Sequence, residues 1–593
     1  MNEEPKSIWK RPWTGPANVL AWFGLLAGAV FLTVYGLGLL ADKHSPVLIL
    51  ALIAVGVAAL AVAIVLFIRW LCCWRNFRRF LFGVACLVTL IALFYAEENV
   101  RAKYAWKNFK SGWEAKGERF DLASIVPPPV PDDKNFAMTP FWVETICANM
   151  GADRGRTWYG DKVAALGRTN FVQRIQMPTE LDGRGLDAPK HTGNWQEFAR
   201  ADLKAWQTYY RQAAAITNFF PVAAQAQTPA EDVLLALSRY DSTIEELRRT
   251  SRLPHSRFPI SYADANPAGI LLPHLASFRS CTTALQLRAL AELQAGQAEK
   301  ALEDIALMLR LTASIRTEPI LISHLVRIAM LQSVLQTVWE GLGDHRWSDA
   351  QLALLETELG KLDFLADYQF AMRAERALDV GFLDYQRGAR EFDGSFLEGG
   401  ADPRLEFQNL LARFVPGGWF EHNKVASCRM HFELLVPIVN LAARVISPAA
   451  EARAVTVSQE IRVTPYNWSV VLLLPGLTRC SGNFAHAQTA ADMARMACAL
   501  ERYRLAQGNF PESLTALAPQ WLEKIPHDVL SGQPLKYRRT DDVRFVLYSV
   551  GWNQTDDGGK LGSPNKEAAS GKIRGEFALK TTDGDWVWQY PAK

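Results

Sequence analysis

The chain has 593 residues, of which 49% are hydrophobic and 21% charged, and its 64 basic and 61 acidic residues give a formal net charge of +3. This composition excludes a disordered chain, a collagen and a small disulfide scaffold. The first 96 residues hold eight of the basic and three of the acidic residues, so the rest of the chain is nearly neutral. Nucleic acid is therefore not expected as a partner, because its binding normally requires a basic surface.

Three apolar runs without any charged residue precede residue 97. The runs 17–41 and 46–68 are each long enough, at about 1.5 Å per residue, to cross a hydrocarbon core of about 30 Å. The run 80–96 lies at the lower limit of a spanning helix. We predict a multi-domain membrane protein in which residues 1–96 form an anchor of three transmembrane helices. Since these runs carry no charge, an anchor is favoured over an ion pathway.

The distribution of basic residues predicts the orientation of this anchor. The N-terminal tail and the second connection are rich in lysine and arginine, whereas the first connection contains only Lys43. Basic connections stay on the cytoplasmic side of a membrane. We therefore expect a bacterial inner-membrane protein with a cytoplasmic N-terminus and a large extracytoplasmic C-terminal region. The basic residues that carry this prediction are Lys6, Lys10, Arg11, Arg69, Arg75, Arg78 and Arg79.

Residues 97–135 are predicted to form a stalk and a proline-rich spacer. The stalk mixes charged residues with Tyr104, Trp106, Phe109 and Trp113, as is typical of a helix that leaves a bilayer. The run Val126–Pro131 cannot continue a helix and favours an extended spacer.

Residues 136–480 are predicted to form a mainly α-helical domain. Its clearest part is a pair of helices, 283–294 and 300–315, joined by a short turn at Gly296. The stretch ALAELQAGQAEKALEDIALMLRL resembles one tetratricopeptide-type helix pair. An array of such units repeats at about 34 residues, and no second good match follows. An irregular helical domain with tetratricopeptide-like pairs is therefore predicted.

The sequence changes character in the last region, residues 484–593. A helix is predicted over 488–506, because its apolar residues recur at spacings of three and four, and Gly508 is expected to end it. Three strand-like runs follow at 534–538, 543–550 and 585–590, separated by polar turns. A helix packed on a small antiparallel sheet is the predicted arrangement of this α+β module.

Three motifs in this module, ALERYRLAQGNFPESLTAL, IPHDVLSGQPLKY and FVLYSVGWNQTDDGG, resemble the globular domain of the major pseudopilins of type II secretion. The ending GDWVWQYP and the phrase LASIVPPPVPDDKNFA are similar to those of large membrane proteins of Verrucomicrobia and Planctomycetes that have no assigned activity. In pseudopilins the late loop often binds calcium. The resemblance therefore implies a calcium site at Asp556 and Asp557, with Asp583 and Asp585 as additional ligands. The same residues also read as an ordinary polar turn.

Cysteine usage gives little indication of chemistry. Five cysteines follow the apolar runs, an odd number, so at least one of them is expected to stay free even in an oxidising compartment. No CxxC motif occurs, which disfavours thioredoxin-like chemistry and cysteine zinc sites. The five residues are Cys147, Cys281, Cys428, Cys480 and Cys498.

A search for catalytic motifs finds no HExxH, GxSxG, phosphate-binding loop or EF-hand. His255, His274, His422 and His431 remain as candidates that could combine with acidic residues or Cys428 in space. The dipeptide His527-Asp528 looks catalytic in isolation, yet it lies where a turn precedes a strand. There Asp528 is expected to hold backbone N–H groups.

Three functional hypotheses follow from these observations. The first is a membrane-anchored envelope protein with a structural or protein-interaction role, whose partners are the lipid bilayer and another envelope protein. The second is an extracytoplasmic hydrolase, with a metal ion assisting. The third is an accessory subunit of a secretion or transport machine.

Overall fold

The computed structural model describes residues 28, 30, 47–167, 171–175, 188–189, 192–217, 219–262, 266–389, 414–540, 544–562 and 583–591. The chain divides into two compact units, Met1–Glu98 and Asn99–Lys593. The predicted span at 17–41 lies outside the described residues, apart from Gly28 and Val30.

Two long helices account for most of the first unit that is described. They are α1 (Val47–Leu71) and α2 (Trp74–Glu114), and the residues of α2 from Asn99 onward belong to the second unit. The predicted helix at 80–96 lies within α2, which is longer at both ends. Both predicted runs are therefore helical, and their crossing of a membrane stays a prediction.

The second unit is mostly helical. Capping boxes begin two of its helices: Thr228 with Glu231, and Ser348 with Gln351, satisfy the N–H groups of the first turn. Its helices are α3 (Pro140–Met150), α4 (Ala152–Tyr159), α5 (Asp161–Ala165), α6 (Leu203–Thr217), α7 (Pro229–Leu237), α8 (Asp241–Thr250), α9 (Leu275–Gln294), α10 (Ala298–Ser314), α11 (Leu321–Gly343), α12 (Asp349–Gly360), α13 (Phe364–Ala389), α14 (Gly417–Met430), α15 (Pro448–Glu460), α16 (Trp468–Leu477) and α17 (Ser481–Gln507).

The predicted helix pair is present as α9 and α10, which pack against each other. Gly296 lies between them with φ of +74°, a conformation that favours glycine. Ala301 is fully buried, so its small side chain lets the two helices approach closely. The resemblance of this pair to a tetratricopeptide unit stays a prediction.

Helix α17 lies at the centre of the second unit. It packs against α11, α12 and α13, and it is buried from Ser481 to Glu501 except at Asn483 and Arg495. The helix begins seven residues before the predicted start at 488, and it ends at Gly508, whose φ is +81°, as predicted. The domain boundaries predicted at 136–480 and 484–593 stay predictions.

Two small antiparallel sheets complete the described part of the second unit. A two-stranded sheet pairs β1 (Val439–Asn440) with β2 (Val445–Ile446). The predicted three strands are present as β3 (Lys536–Thr540), β4 (Arg544–Ser549) and β5 (Trp586–Trp588), in the order β3-β4-β5. Strands β4 and β5 contact α17, so the predicted packing of a helix on a small sheet is confirmed.

Three of the four aromatic residues of the predicted stalk pack against other residues of the second unit. Trp113 stacks on Phe432 with ring centroids 3.7 Å apart, and Trp106 and Phe109 lie against Phe120. Aromatic rings of the second unit thus cover part of each of these three stalk residues. Their partial burial fixes the last turns of α2 on the rest of the second unit.

Two described helices, α2 and α11, are long and apolar enough to cross a membrane. They differ in their surroundings. The apolar part of α11 is 78% buried inside the structure, as expected of a core helix, whereas none of the apolar part of α2 is buried. Of these two helices, α2 is therefore the one whose apolar surface is not covered by other described residues.

Candidate functional site

The apolar part of α2 exposes large side chains on every face. Phe82 is 73% exposed, Leu90 64% and Val88 59%, and these positions do not fall on a single stripe of the helix. A continuous apolar surface of this kind marks contact with a membrane or another apolar surface. Its other strongly exposed members are Leu81, Leu87, Ile91, Leu93 and Phe94.

The four candidate histidines have separate neighbours. His255 is exposed in a loop, and the ring of His422 lies edge-on to Tyr466. His274 is fully buried, with Nε2 2.8 Å from a Glu318 carboxylate oxygen. His431 is buried beside α13. The structure therefore does not join these histidines into one site.

The surroundings of His431 contain a serine, a histidine and an aspartate in contact. Ser427 Oγ donates a hydrogen bond of 2.9 Å to Asp379, and His431 Nε2 lies 3.9 Å from the same carboxylate oxygen. His431 Nδ1 donates to the Ser427 carbonyl at 3.1 Å, which leaves Nε2 unprotonated in the neutral ring. A catalytic serine would donate to the histidine instead. This cluster therefore lacks the geometry of a catalytic triad.

Burial keeps this cluster uncharged near neutral pH. It lowers the pKa of His431 to about 4, and burial together with the nearby Glu375 raises the pKa of Asp379 to about 8. Glu375 also has a pKa raised by burial, to about 7, and it accepts a hydrogen bond from the backbone N–H of Leu321. The sequence did not indicate Glu375 and Asp379, although their four-residue spacing places both on one face of α13.

We expect Asp379 to make stability fall as pH rises. Its pKa in the folded protein lies above the ordinary value of about 3.9, so between about pH 4 and about pH 8 the folded protein keeps a proton that the unfolded chain has released. The free energy of unfolding therefore decreases across this window. Asp379→Asn cannot ionise and retains an acceptor for Ser427, so it should flatten the decrease, as measured by urea unfolding at several pH values. The exposed control Asp133→Asn should keep the wild-type slope, and equal slopes for all three proteins would contradict the assignment.

A cavity of about 260 Å³ brings charged side chains together beside α17. It lies between α17, the β1–β2 hairpin and the segment 523–529. No local pattern in the sequence indicates that these regions meet. The charged and ionisable lining residues include Asp363, Arg444, Asp492, Arg495, Lys524 and His527.

Two ion pairs join lining residues of the cavity. An Arg444 nitrogen lies 3.0 Å from Asp363, and an Arg495 nitrogen lies 3.5 Å from Asp492, whose pKa is raised by burial. His527 Nε2 lies 3.2 Å from the carbonyl oxygens of Ala443 and Arg444. Because carbonyls only accept hydrogen bonds, Nε2 carries the proton and Nδ1 is the basic atom of the neutral ring. The cavity thus holds one imidazole and several carboxylates in a polar space.

Asp528 holds the turn before β3, as the sequence predicts. Its carboxylate accepts hydrogen bonds from the backbone N–H groups of Leu530 at 3.0 Å and Val550 at 3.3 Å, and from the Ser549 hydroxyl at 2.9 Å. These three bonds give Asp528 a structural role.

Two of the four aspartates proposed for calcium, Asp556 and Asp585, accept hydrogen bonds from backbone N–H groups of residues 557–559. Asp585 is buried and accepts hydrogen bonds from Gly559 N at 2.7 Å and Asp557 N at 3.3 Å, while Asp556 accepts from Gly558 N at 3.1 Å. Burial raises the pKa of Asp585, and the bond from Gly558 lowers that of Asp556. In the described part of the chain, no group of three or more His, Cys, Asp or Glu side chains is arranged to hold a metal ion. Calcium binding by Asp556, Asp557, Asp583 and Asp585 stays a prediction.

Thermal unfolding of the full chain tests calcium binding directly. If calcium binds only the folded protein, it should raise the unfolding midpoint, with about 2.7 kcal/mol gained at a concentration 100 times the Kd. The double variant Asp556→Asn/Asp557→Asn should lose this shift. Equal unfolding midpoints with calcium and with a chelator would contradict calcium binding.

All eight cysteines are free thiols in the structure. The five that follow the apolar runs are buried, and burial raises the pKa of Cys281 to about 12. A buried thiol with a raised pKa is unreactive, so these cysteines serve packing.

Comparison with known proteins gives no family: no protein-family model, curated protein or solved structure matches the chain.

Proposed function

We propose that this chain is a membrane-anchored protein of the bacterial inner membrane that displays its folded body, Asn99–Lys593, outside the membrane for interaction with another envelope protein. The exposed apolar surface of α2 carries the proposal. In water such a surface would be unfavourable by roughly 25 cal/mol for each Å². A hydrocarbon environment removes that cost.

The length and uniformity of this surface favour lipid as its cover. The uncharged run Phe80–Ala96 has 17 residues, which rise by about 26 Å in a helix, close to the thickness of a hydrocarbon core. A protein partner would cover one stripe and leave polar residues on the other side. Exposed apolar residues on all faces fit a lipid environment better.

Extraction of membranes with alkaline carbonate tests the anchor. We expect the full chain to stay in the membrane pellet and to enter the supernatant only with detergent, because insertion of an apolar helix is effectively irreversible. Recovery of the chain in the carbonate supernatant would overturn the anchoring proposal.

The ion pairs inside the body support the interaction role. Several of its buried carboxylates and arginines form ion pairs within the body, such as Arg327 with Asp367 and Arg376 with Glu118. These groups stabilise the fold and support a role in display. Crosslinking in intact cells should recover one defined protein partner, and a chain that remains monomeric and uncrosslinked under those conditions would contradict the role.

The polar cavity favours hydrolysis as a second candidate function. It places His527 near Asp363 and Asp492, which are residue types used in general acid and base catalysis. The purified full chain should then cleave ester or amide test substrates, and His527→Ala should abolish the cleavage while the exposed control His255→Ala leaves it unchanged. Absence of turnover on both substrate classes would count against this function.

The C-terminal resemblance supports a third proposal, an accessory subunit of a secretion machine. The observed helix and three-stranded antiparallel sheet are compatible with that resemblance. Copurification of the full chain with secretion subunits tests it, and their absence from the purified complex would argue against it.

A further inference from the structure

The body exposes three apolar side chains that are close together in the chain, Val463, Tyr466 and Leu472, and we call this segment the apolar patch. Their exposed fractions are 66%, 37% and 44%. Only one face of α16, which contains the run SVVLLLPGL, is buried: Val470, Leu474 and Leu477 are buried, whereas Leu472 is not.

Hydrogen bonds fix the position of the apolar patch. Asn467 closes the preceding turn, because its side-chain oxygen accepts a bond of 2.7 Å from Thr464 N and its amide nitrogen donates to the Arg462 carbonyl at 3.0 Å. Asn423 of α14 accepts from Ser469 N at 3.0 Å and donates to the Pro465 carbonyl at 2.8 Å. The exposure of the patch is therefore a built feature of the fold.

The apolar patch lies beside the residues of α2 that follow the uncharged run. An Arg101 nitrogen lies 3.4 Å from the Tyr466 hydroxyl, and the Arg101 guanidinium lies 5.5 Å from the centre of the Tyr466 ring. Arg101 is five residues after Ala96, the last residue of the uncharged run, which is a rise of about 7.5 Å in a helix. Tyr466 thus contacts α2 close to where the chain is expected to leave the hydrocarbon.

The composition around the apolar patch matches that of segments at a membrane surface. Tyrosine and tryptophan concentrate at the headgroup level, and here Tyr466 is followed by Trp468 at the start of α16. Exposed arginines, Arg462 and Arg479, flank the patch in the chain. Basic side chains are attracted to an anionic membrane surface.

We propose that the apolar patch inserts into the headgroup region of the same bilayer that holds the anchor, so that the body rests on the lipid surface. The inference rests on the proposed anchoring of α2. It adds a second point of contact, which restricts the tilt of the body relative to the membrane.

Spin labels can report this contact in the full chain reconstituted into nanodiscs that contain anionic lipid. The labels are attached through Leu472→Cys or Leu354→Cys, in a background with Cys72→Ser, Cys73→Ser and Cys86→Ser; the five other cysteines are buried. Leu354 is the matched control, because it lies on α12 and is also 44% exposed. The measurement compares collision of each label with oxygen, which concentrates in lipid, and with a nickel chelate, which stays in water.

At position 472 we expect collision with oxygen to exceed collision with nickel, and at position 354 the reverse. Equal, water-like values at the two positions in nanodisc-bound protein would overturn the apolar patch as a lipid contact while leaving the anchor intact. Low collision with both reagents at position 472 would show that a protein, such as a second copy of the chain, covers the apolar patch. That result would also overturn the proposed lipid contact. A chain that fails to enter nanodiscs would remove the anchor, and the inference with it.

Discussion

Replacing Arg327 with leucine is expected to lower the free energy of unfolding by about 3–5 kcal/mol, because it leaves a carboxylate buried without its main partner. Arg327 is 1% exposed, donates to Asp367 and also donates to the Thr312 carbonyl at 2.9 Å. Asp367 is itself 3% exposed, and its remaining cation, Arg316, lies 3.4 Å away and is half exposed. Urea unfolding of the detergent-solubilised full chain measures the loss.

Two comparison variants test whether the burial of the Arg327–Asp367 pair causes this loss of free energy. Arg200 makes a two-bond pair with Asp344 at 2.9 Å, but both side chains are about one-third exposed, so Arg200→Leu should cost about 1 kcal/mol or less. The double variant Arg327→Leu/Asp367→Leu removes both charges and should be more stable than Arg327→Leu alone. Similar losses for Arg327→Leu and Arg200→Leu would contradict the account of the buried pair.

Replacing Trp142 with alanine is expected to cost about 3–5 kcal/mol through the cavity it leaves. Trp142 is fully buried and surrounded by aromatic rings: the ring of Phe278 lies 4.2 Å away, Phe141 5.0 Å and Phe258 5.1 Å. Its indole nitrogen makes no hydrogen bond within the described structure. The loss therefore comes from packing, since no hydrogen bond is broken.

Controls separate this packing effect from a general effect of losing an aromatic residue. Trp142→Phe keeps one ring in the site, so it should lower the free energy of unfolding much less than Trp142→Ala does. Tyr104→Ala removes an aromatic side chain that is 64% exposed and should change the free energy of unfolding by about 0.5 kcal/mol or less. A loss for Trp142→Ala as small as that for Tyr104→Ala would show that the aromatic cluster does not stabilise the body.

Periodicity and turn residues in the sequence predicted several of the helices and strands. The helix pair joined at Gly296, the end of α17 at Gly508 and the three C-terminal strands all follow from periodicity and turn residues. The apolar stripe of α17 was predicted too, but its burial on nearly all sides was not. Its alanines are the reason: seven are fully buried because small side chains let neighbouring helices approach, and alanine gives little contrast in a hydrophobic pattern. They are Ala485, Ala487, Ala490, Ala491, Ala494, Ala497 and Ala499.

The charged residues of the interior could not be located from the sequence. Asp379 meets Ser427 and His431 across 48 and 52 positions of the chain, and Arg444 meets Asp363 across 81. Such contacts arise from the packing of helices that are distant in the chain, and no local motif records them. Asp492 and Arg495 gave one local signal, since they are charged residues within the otherwise small and apolar stretch 490–500 of α17.

Labelling of exposed thiols with a membrane-impermeant maleimide tests the central claim, display of an anchored body outside the membrane, most directly. The full chain with Leu354→Cys offers one exposed thiol on the body, because the five native cysteines there are buried. We predict labelling at position 354 in intact spheroplasts, whereas Cys72 and Cys73, in the connection predicted to be cytoplasmic, should react only after permeabilisation. Adding Leu87→Arg/Leu90→Arg should abolish external labelling at 354, because each charge at the centre of a spanning helix costs about 2.5–3.5 kcal/mol of insertion energy. Labelling at 354 only after permeabilisation, with the natural residues at 87 and 90, would contradict the account.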